Sequence, residues 1–147
     1  MMPLTVPQNP IDQAGLEALA REIAATLRPG DAVLLEGPLG AGKTTLARAL
    51  IRAACGDPAL EVPSPTYTLV QSYAAAGFEL HHFDLWRLDG PAGLVELGWD
   101  EARAGVVIVE WPDRLWAVDD ALVVRIAVAG EDLRWVEMKD GRFRAPT

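Results

Sequence analysis

Gly37-Pro38-Leu39-Gly40-Ala41-Gly42-Lys43-Thr44 is the stretch that decides the fold. It satisfies G-x-x-x-x-G-K-[ST] at every fixed position, the pattern of a backbone loop that wraps phosphate. Glycines let the chain curl until several N–H groups converge on phosphate oxygens. Lys43 brings a cation to the terminal phosphates, and Thr44 offers a hydroxyl to a magnesium ion. A helix beginning at Lys43 adds the positive end of its dipole. The flanks agree with this reading. Ala32-Val33-Leu34-Leu35 is a continuous apolar run of strand length, suited to a strand covered on both faces. Lys43 to Ala54 reads as a helix closed by Gly56-Asp57-Pro58, which completes the strand–loop–helix setting the motif needs.

Working outward, Asp12 is placed to cap a helix running to about Leu27. Its apolar positions Leu16, Leu19, Ala20, Ile23, Ala24 and Leu27 form one helical stripe, and Pro29-Gly30 ends it. Leu4-Thr5-Val6 reads as a short edge strand. Tyr67 to Tyr73 and Phe78 to Asp84 read as strands joined through Ala74-Ala75-Ala76-Gly77. Pro91 to about Leu97 reads as a short helix. Val106-Val107-Ile108-Val109 is a second wholly apolar strand. Leu122 to Ala127 and Arg134 to Met138 are late strands, with a last one around Phe143. No repeat or linker interrupts the chain. The expectation is therefore a single α/β domain over residues 1–147, a P-loop NTPase-like sheet of mixed parallel and antiparallel strands with flanking helices.

Such loops work with an acid at the end of a neighbouring buried strand, which helps to hold the magnesium shell. Glu110, directly after Val106–Val109, fits that place. Asp84 ends another strand-like run, and is a rival or a collaborator that would position the attacking water. His81 and His82 are adjacent, so in a strand they face opposite sides; packing or hydrogen bonding suits them better than catalysis. Ser64-Pro65-Thr66-Tyr67-Thr68 is a proline-stiffened polar loop, read equally as a plain loop or as one whose Thr66 senses the terminal phosphate.

Composition narrows the function. Across 147 residues, 13 Lys+Arg face 21 Asp+Glu, a net charge of −8. Residues 61–147 carry fifteen acids against eight bases, and residues 1–60 six against five. An acidic domain repels nucleic-acid backbones, so autonomous RNA or DNA binding is not expected. Phosphates held at one specialised site, or a basic protein partner, fit better. One cysteine, Cys55, cannot make an internal disulfide framework. No membrane-length apolar run and no secretory signal stand out, so a cytoplasmic protein is expected.

Four blocks taken together resemble the TsaE family, the small ATPases of bacterial tRNA threonylcarbamoyladenosine synthesis. They are Gly37 to Thr45, Ser64-Pro65-Thr66-Tyr67-Thr68-Leu69-Val70, His82-Phe83-Asp84-Leu85-Trp86-Arg87-Leu88 and Val109-Glu110-Trp111-Pro112. The resemblance implies ATP and Mg2+ as cofactors. Nucleotide contacts would come from Gly37, Pro38, Leu39, Gly40, Ala41, Gly42, Lys43, Thr44 and Thr45, with Arg134 as a basic residue nearby. Thr44 and Glu110 would be the metal-side pair; Lys43, Asp84 and Thr66 would serve hydrolysis. It also implies TsaB-like and TsaD-like partner proteins, with tRNA reached only through them. Two departures are visible. The family commonly has Asp where Pro38 stands and Tyr where Trp86 stands, so a hydroxyl is missing at the second position.

The leading expectation is a weak magnesium-dependent ATPase acting as a switch in that modification system. Slow turnover follows from the lack of an arginine finger in a fixed place, Arg87 being the only base close to Asp84 in sequence. The alternative is a small-molecule P-loop kinase, although the 37 residues after Glu110 offer no compact Arg-bearing lid. A GTP switch is disfavoured because no Asn-Lys-x-Asp stretch is present to read guanine.

Overall fold

The computed structural model describes residues 6–142 apart from 66, 67, 91 and 117. The chain runs α1 (Gln13–Thr26), β1 (Ala32–Glu36), α2 (Lys43–Cys55), β2 (Val70–Ala75) and β3 (Phe78–Asp84), then α3 (Ala92–Glu96), α4 (Trp99–Ala102), β4 (Val106–Glu110), a 3-10 turn (Pro112–Arg114), β5 (Leu122–Gly130) and β6 (Leu133–Asp140). The strands form one sheet in the order β2-β3-β4-β1-β5-β6. The inner four are mutually parallel, and β2 and β6 are antiparallel edges. This is the mixed P-loop NTPase-like α/β sheet that the sequence implies.

Local chemistry explains the elements. Asp12 caps α1, its carboxylate accepting from the Gly15 amide at 2.9 Å. The predicted stripe points inward, with Leu16, Leu19, Ala20 and Ile23 buried. Every residue of β4 is buried, as its unbroken apolar run requires of a central parallel strand. Val33, Leu35, Ile108, Leu122, Val124 and Ile126 form the sheet face under α1 and α2. Leu34, Val107, Val109 and Phe83 form the other, against Leu94 and Trp99. Phe83 meets Trp99 edge-on at 5.2 Å between ring centroids. Each fully buried aliphatic side chain contributes about 1.5–3 kcal/mol, so the two clusters rigidify the strand ends that carry polar groups.

Several boundaries differ from expectation. The β2–β3 turn is only Ala76-Gly77, with strand pairing running through Ala75↔Phe78; the alanines pair as strand because antiparallel register outweighs their weak β preference. The short helix expected up to about Leu97 is α3, and a further unexpected helix, α4, follows it beyond Gly98 with φ +80°. Strands β5 and β6 are longer than their apolar cores because each pairs with the other along an exposed hairpin. Val6 belongs to no strand. The readings at Leu4, Thr5, Thr66, Tyr67, Pro91 and Phe143 lie outside the described residues. Among those described, no helix is long and apolar enough to cross a membrane.

Candidate functional site

In an open α/β sheet the ligand crevice lies beyond the carboxyl ends of the parallel strands. Register brings the expected groups together there. Leu35 of β1 pairs with Glu110 of β4, and Glu110 pairs with Asp84 of β3. The phosphate loop leaves β1 at this level and returns into α2. A cleft of about 380 Å³ results, lined by the loop, Thr44, Thr45, Asp84, Trp86, Glu110, Trp111 and Arg134.

The loop's backbone needs its glycines. Gly37 has φ +152°, and a Cβ there would overlap the Ile126 carbonyl oxygen. Gly42 caps α2 in the left-handed region at φ +108°. Lys43 is buried, and its ammonium donates to the Gly37 carbonyl and, at 3.2 Å, to the Pro38 carbonyl. Its Nζ also lies 3.5 Å from the Trp111 ring centroid, a cation–π contact. Burial pushes the Lys43 pKa below the ordinary lysine value, against the opposing pull of Glu110, Asp84 and Asp113.

Behind the lysine runs a chain of polar contacts. The Thr44 hydroxyl donates to Glu110 Oε1 at 2.7 Å. The other carboxylate oxygen, Oε2, sits 2.6 Å from His82 Nε2. A carboxylate only accepts, so the shared proton belongs to Nε2. Both His82 and Glu110 are buried. His82 is thus the member of the histidine pair that meets the acid, while His81 hydrogen-bonds outward with Ser72 Oγ at 2.7 Å. Asp84 is buried at the cleft; its Oδ1 accepts from the Trp86 amide at 3.1 Å and its own amide donates to the Leu69 carbonyl at 3.0 Å. That last bond ties the stem of the Ser64–Thr68 loop to the site, although Thr66 itself lies outside the described residues.

Arg134 reaches the site from β6, its Nε donating to the Ala41 carbonyl at 2.7 Å. Lys43 and Arg134 are the cationic side chains that line the cleft among the described residues. Arg87, the base nearest Asp84 in sequence, is exposed and does not line it. Two tryptophans were not expected as site residues. Trp111 takes φ +61° at the sharp exit from β4, which lays its indole across Lys43. Trp86 packs on it at 4.5 Å between centroids. The signal available was the Glu-Trp-Pro turn itself, a large aromatic fixed between the strand-end acid and a proline.

No cluster of three or more His, Cys, Asp or Glu capable of holding a metal exists among the described residues. The donor set beside the loop is a hydroxyl and two carboxylates. That fits magnesium, which takes hard oxygen ligands, few of them from protein, and completes its shell with substrate phosphates and water.

Comparison with known proteins gives a consistent result. The sequence profile of the family described as "Threonylcarbamoyl adenosine biosynthesis protein TsaE" matches residues 11–136. A tRNA threonylcarbamoyladenosine biosynthesis protein TsaE of Rickettsia conorii is 44% identical over 96 residues, 65% of this chain and 54% of that protein. The chain therefore spans about half the length of that curated relative. The protein of the same name from Aquifex aeolicus is 35% identical over 121 residues, covering 82% of this chain and 85% of its own. Among solved structures, the crystal structure of Bacillus subtilis YdiB superimposes with a TM-score of 0.69 at 29% identity, covering 93% of this chain and 88% of that one.

Proposed function

The chain belongs to the TsaE family, and from that premise we propose that it is a magnesium-dependent ATPase serving threonylcarbamoyl modification of the adenosine next to the tRNA anticodon. The observation that carries the nucleotide part is the contact between Thr44 and Glu110, at the foot of a phosphate loop, with Glu110 in direct register with Asp84.

The loop amides from Gly37 to Thr45 and the Lys43 ammonium receive the phosphates. Lys43 leaves the Gly37 and Pro38 carbonyls to do so, and its charge is worth more in the dry cleft than in water. Thr44 and Glu110 would hold magnesium, which would supply neutralisation of the phosphate charge. His82 holds Glu110 in one orientation through Oε2, as outer partners of metal-side carboxylates do. Asp84 orients the attacking water, and Thr66 contributes from the adjoining loop. Arg134 supports the loop from behind through Ala41. Trp111 shields Lys43 from solvent.

The modification role rests on the names of the relatives. The net charge of −8 suits a protein that leaves the grip on tRNA to partners, here TsaB-like and TsaD-like proteins, in the cytoplasm. Incubation with ATP and Mg2+ tests the chemistry: phosphate release without a phosphorylated acceptor is expected, and stoichiometric phosphorylation of a small molecule would replace this reading with a kinase. Cells relying on the Lys43→Ala variant should lose threonylcarbamoyladenosine from their tRNA; undiminished modification would remove the cellular role.

A further inference from the structure

Next to the nucleotide cleft, with which it shares only Thr45, α1 and α2 enclose a groove of about 700 Å³ whose walls carry Arg21, Arg48 and Arg52. We propose that this groove docks a short acidic segment of a partner protein. The proposal is independent of the nucleotide reading.

The first observation is how arginine charge is used. The arginines at 103, 114, 125 and 142 are ion-paired with carboxylates at 2.8–3.9 Å. Among the described residues, no carboxylate pairs with Arg21, Arg48 or Arg52. The side chains of Arg28 and Arg134 likewise meet no carboxylate among the described residues, but Arg21, Arg48 and Arg52 are gathered in one groove. Two acids also line the groove, and neither pairs with a guanidinium: Glu17 accepts from Gln13 Nε2 at 3.3 Å, and Asp57 accepts from the Ala59 amide at 3.0 Å.

The second observation is how the arginines are held. Arg48 Nε donates to the Val62 carbonyl and Arg52 Nε to the Leu60 carbonyl, each at 2.9 Å. Each guanidinium is fixed by one nitrogen, and its two terminal nitrogens make no hydrogen bond among the described residues. Arg48 and Arg52 are one helical turn apart, about 5.4 Å along the axis. Two planar forks at that spacing match carboxylates carried on one peptide segment. Ala49 and Ala53 floor the groove with small side chains, leaving room for a backbone.

Charge selects the occupant. A nucleic-acid strand would carry further phosphates past Glu17 and Asp57 and over a surface of net charge −8, with repulsion at each step. A short acidic segment meets the three guanidiniums and extends no further.

Anisotropy of a fluorescein-labelled Glu-Ala repeat peptide, with a Gln-Ala peptide and a single-stranded RNA of equal length as comparisons, tests this on the full chain. The Glu-Ala peptide should bind best at low salt and weaken steeply as salt rises. Arg21→Glu/Arg52→Glu should weaken it by about tenfold or more, a change of about 1.4 kcal/mol, with the heat of MgATP binding unchanged. Arg21→Glu alone, exposed on α1, should give a smaller loss in the same direction and guards against misfolding of the double variant. Equal peptide binding by wild type and variants, no binding at low salt, or preference for RNA through the same arginines would each overturn the proposal. A wild type that binds the peptide but not MgATP would keep this inference and remove the preceding one.

Discussion

The two sides of α2 treat charge in opposite ways. At its N-terminus the key side chains of the cleft are already engaged: Lys43 by loop carbonyls, Thr44 by Glu110, and Glu110 by His82. Along its flank, Arg48 and Arg52 each give one nitrogen to a carbonyl and, among the described residues, meet no carboxylate. The cleft is pre-organised, so a ligand must exchange partners with groups already in place, and each lost contact leaves a buried group unsatisfied. The groove holds its charge ready at the surface, where screening limits what any one residue contributes. Substitutions in the cleft should therefore have large, chemistry-specific effects, and those in the groove modest, salt-dependent ones.

Lys43→Ala should break this contrast most visibly. It removes the cation aimed at the terminal phosphates, and loss of such a preorganised donor costs about 3 kcal/mol or more. MgATP binding and hydrolysis should fall below detection in calorimetry and phosphate-release assays while circular dichroism stays native. Next come Glu110→Gln and Asp84→Asn. Each should lower turnover by about 10²-fold or more with a smaller change in ATP affinity, and either one retaining full turnover removes the role assigned to it.

His82→Leu should lower turnover by about tenfold or more and raise the magnesium concentration required. His82→Gln, which can still donate to Glu110, should recover part of both. Equal behaviour of the two variants would make His82 a packing residue. The pH response is the gentlest test. Burial disfavours the Lys43 ammonium, so the folded protein releases this proton at lower pH than the unfolded chain, whose value is near 10.5. Through the window below 10.5, phosphate affinity should fall as pH rises, while the share of folding stability linked to this residue rises. Lys43→Arg, which stays charged, should flatten the affinity profile, and an unchanged slope would show that another group sets it.

Sequence carried the parallel strands well because burial on both faces leaves an unmistakable mark. Val106 to Val109 could be little else, and its position fixed Glu110 beside the loop. The edges were less legible. Ala74 and Ala75 look like turn residues, yet pairing with Phe78 and Glu79 makes them strand. Within the site, the loop, Thr44, Glu110 and Asp84, expected from their residue types, line one cleft, as does Arg134, which only the family resemblance suggested. Trp111 was missed as a site residue because nothing in its identity announces a left-handed backbone at φ +61°, and that conformation is what sets its indole against Lys43. The bond from His82 to Glu110 was also beyond reach. Strand alternation shows that the two histidines face opposite sides, but register decides which one meets the acid.

Titration of ATP into the folded protein by calorimetry, with and without magnesium, asks whether residues 37–45 bind nucleotide through a divalent ion held by Glu110. Saturable one-to-one binding is predicted, strengthened by magnesium in the wild type and with that gain lost in Glu110→Gln. Folded wild-type protein that gives no binding heat at millimolar MgATP would contradict the account.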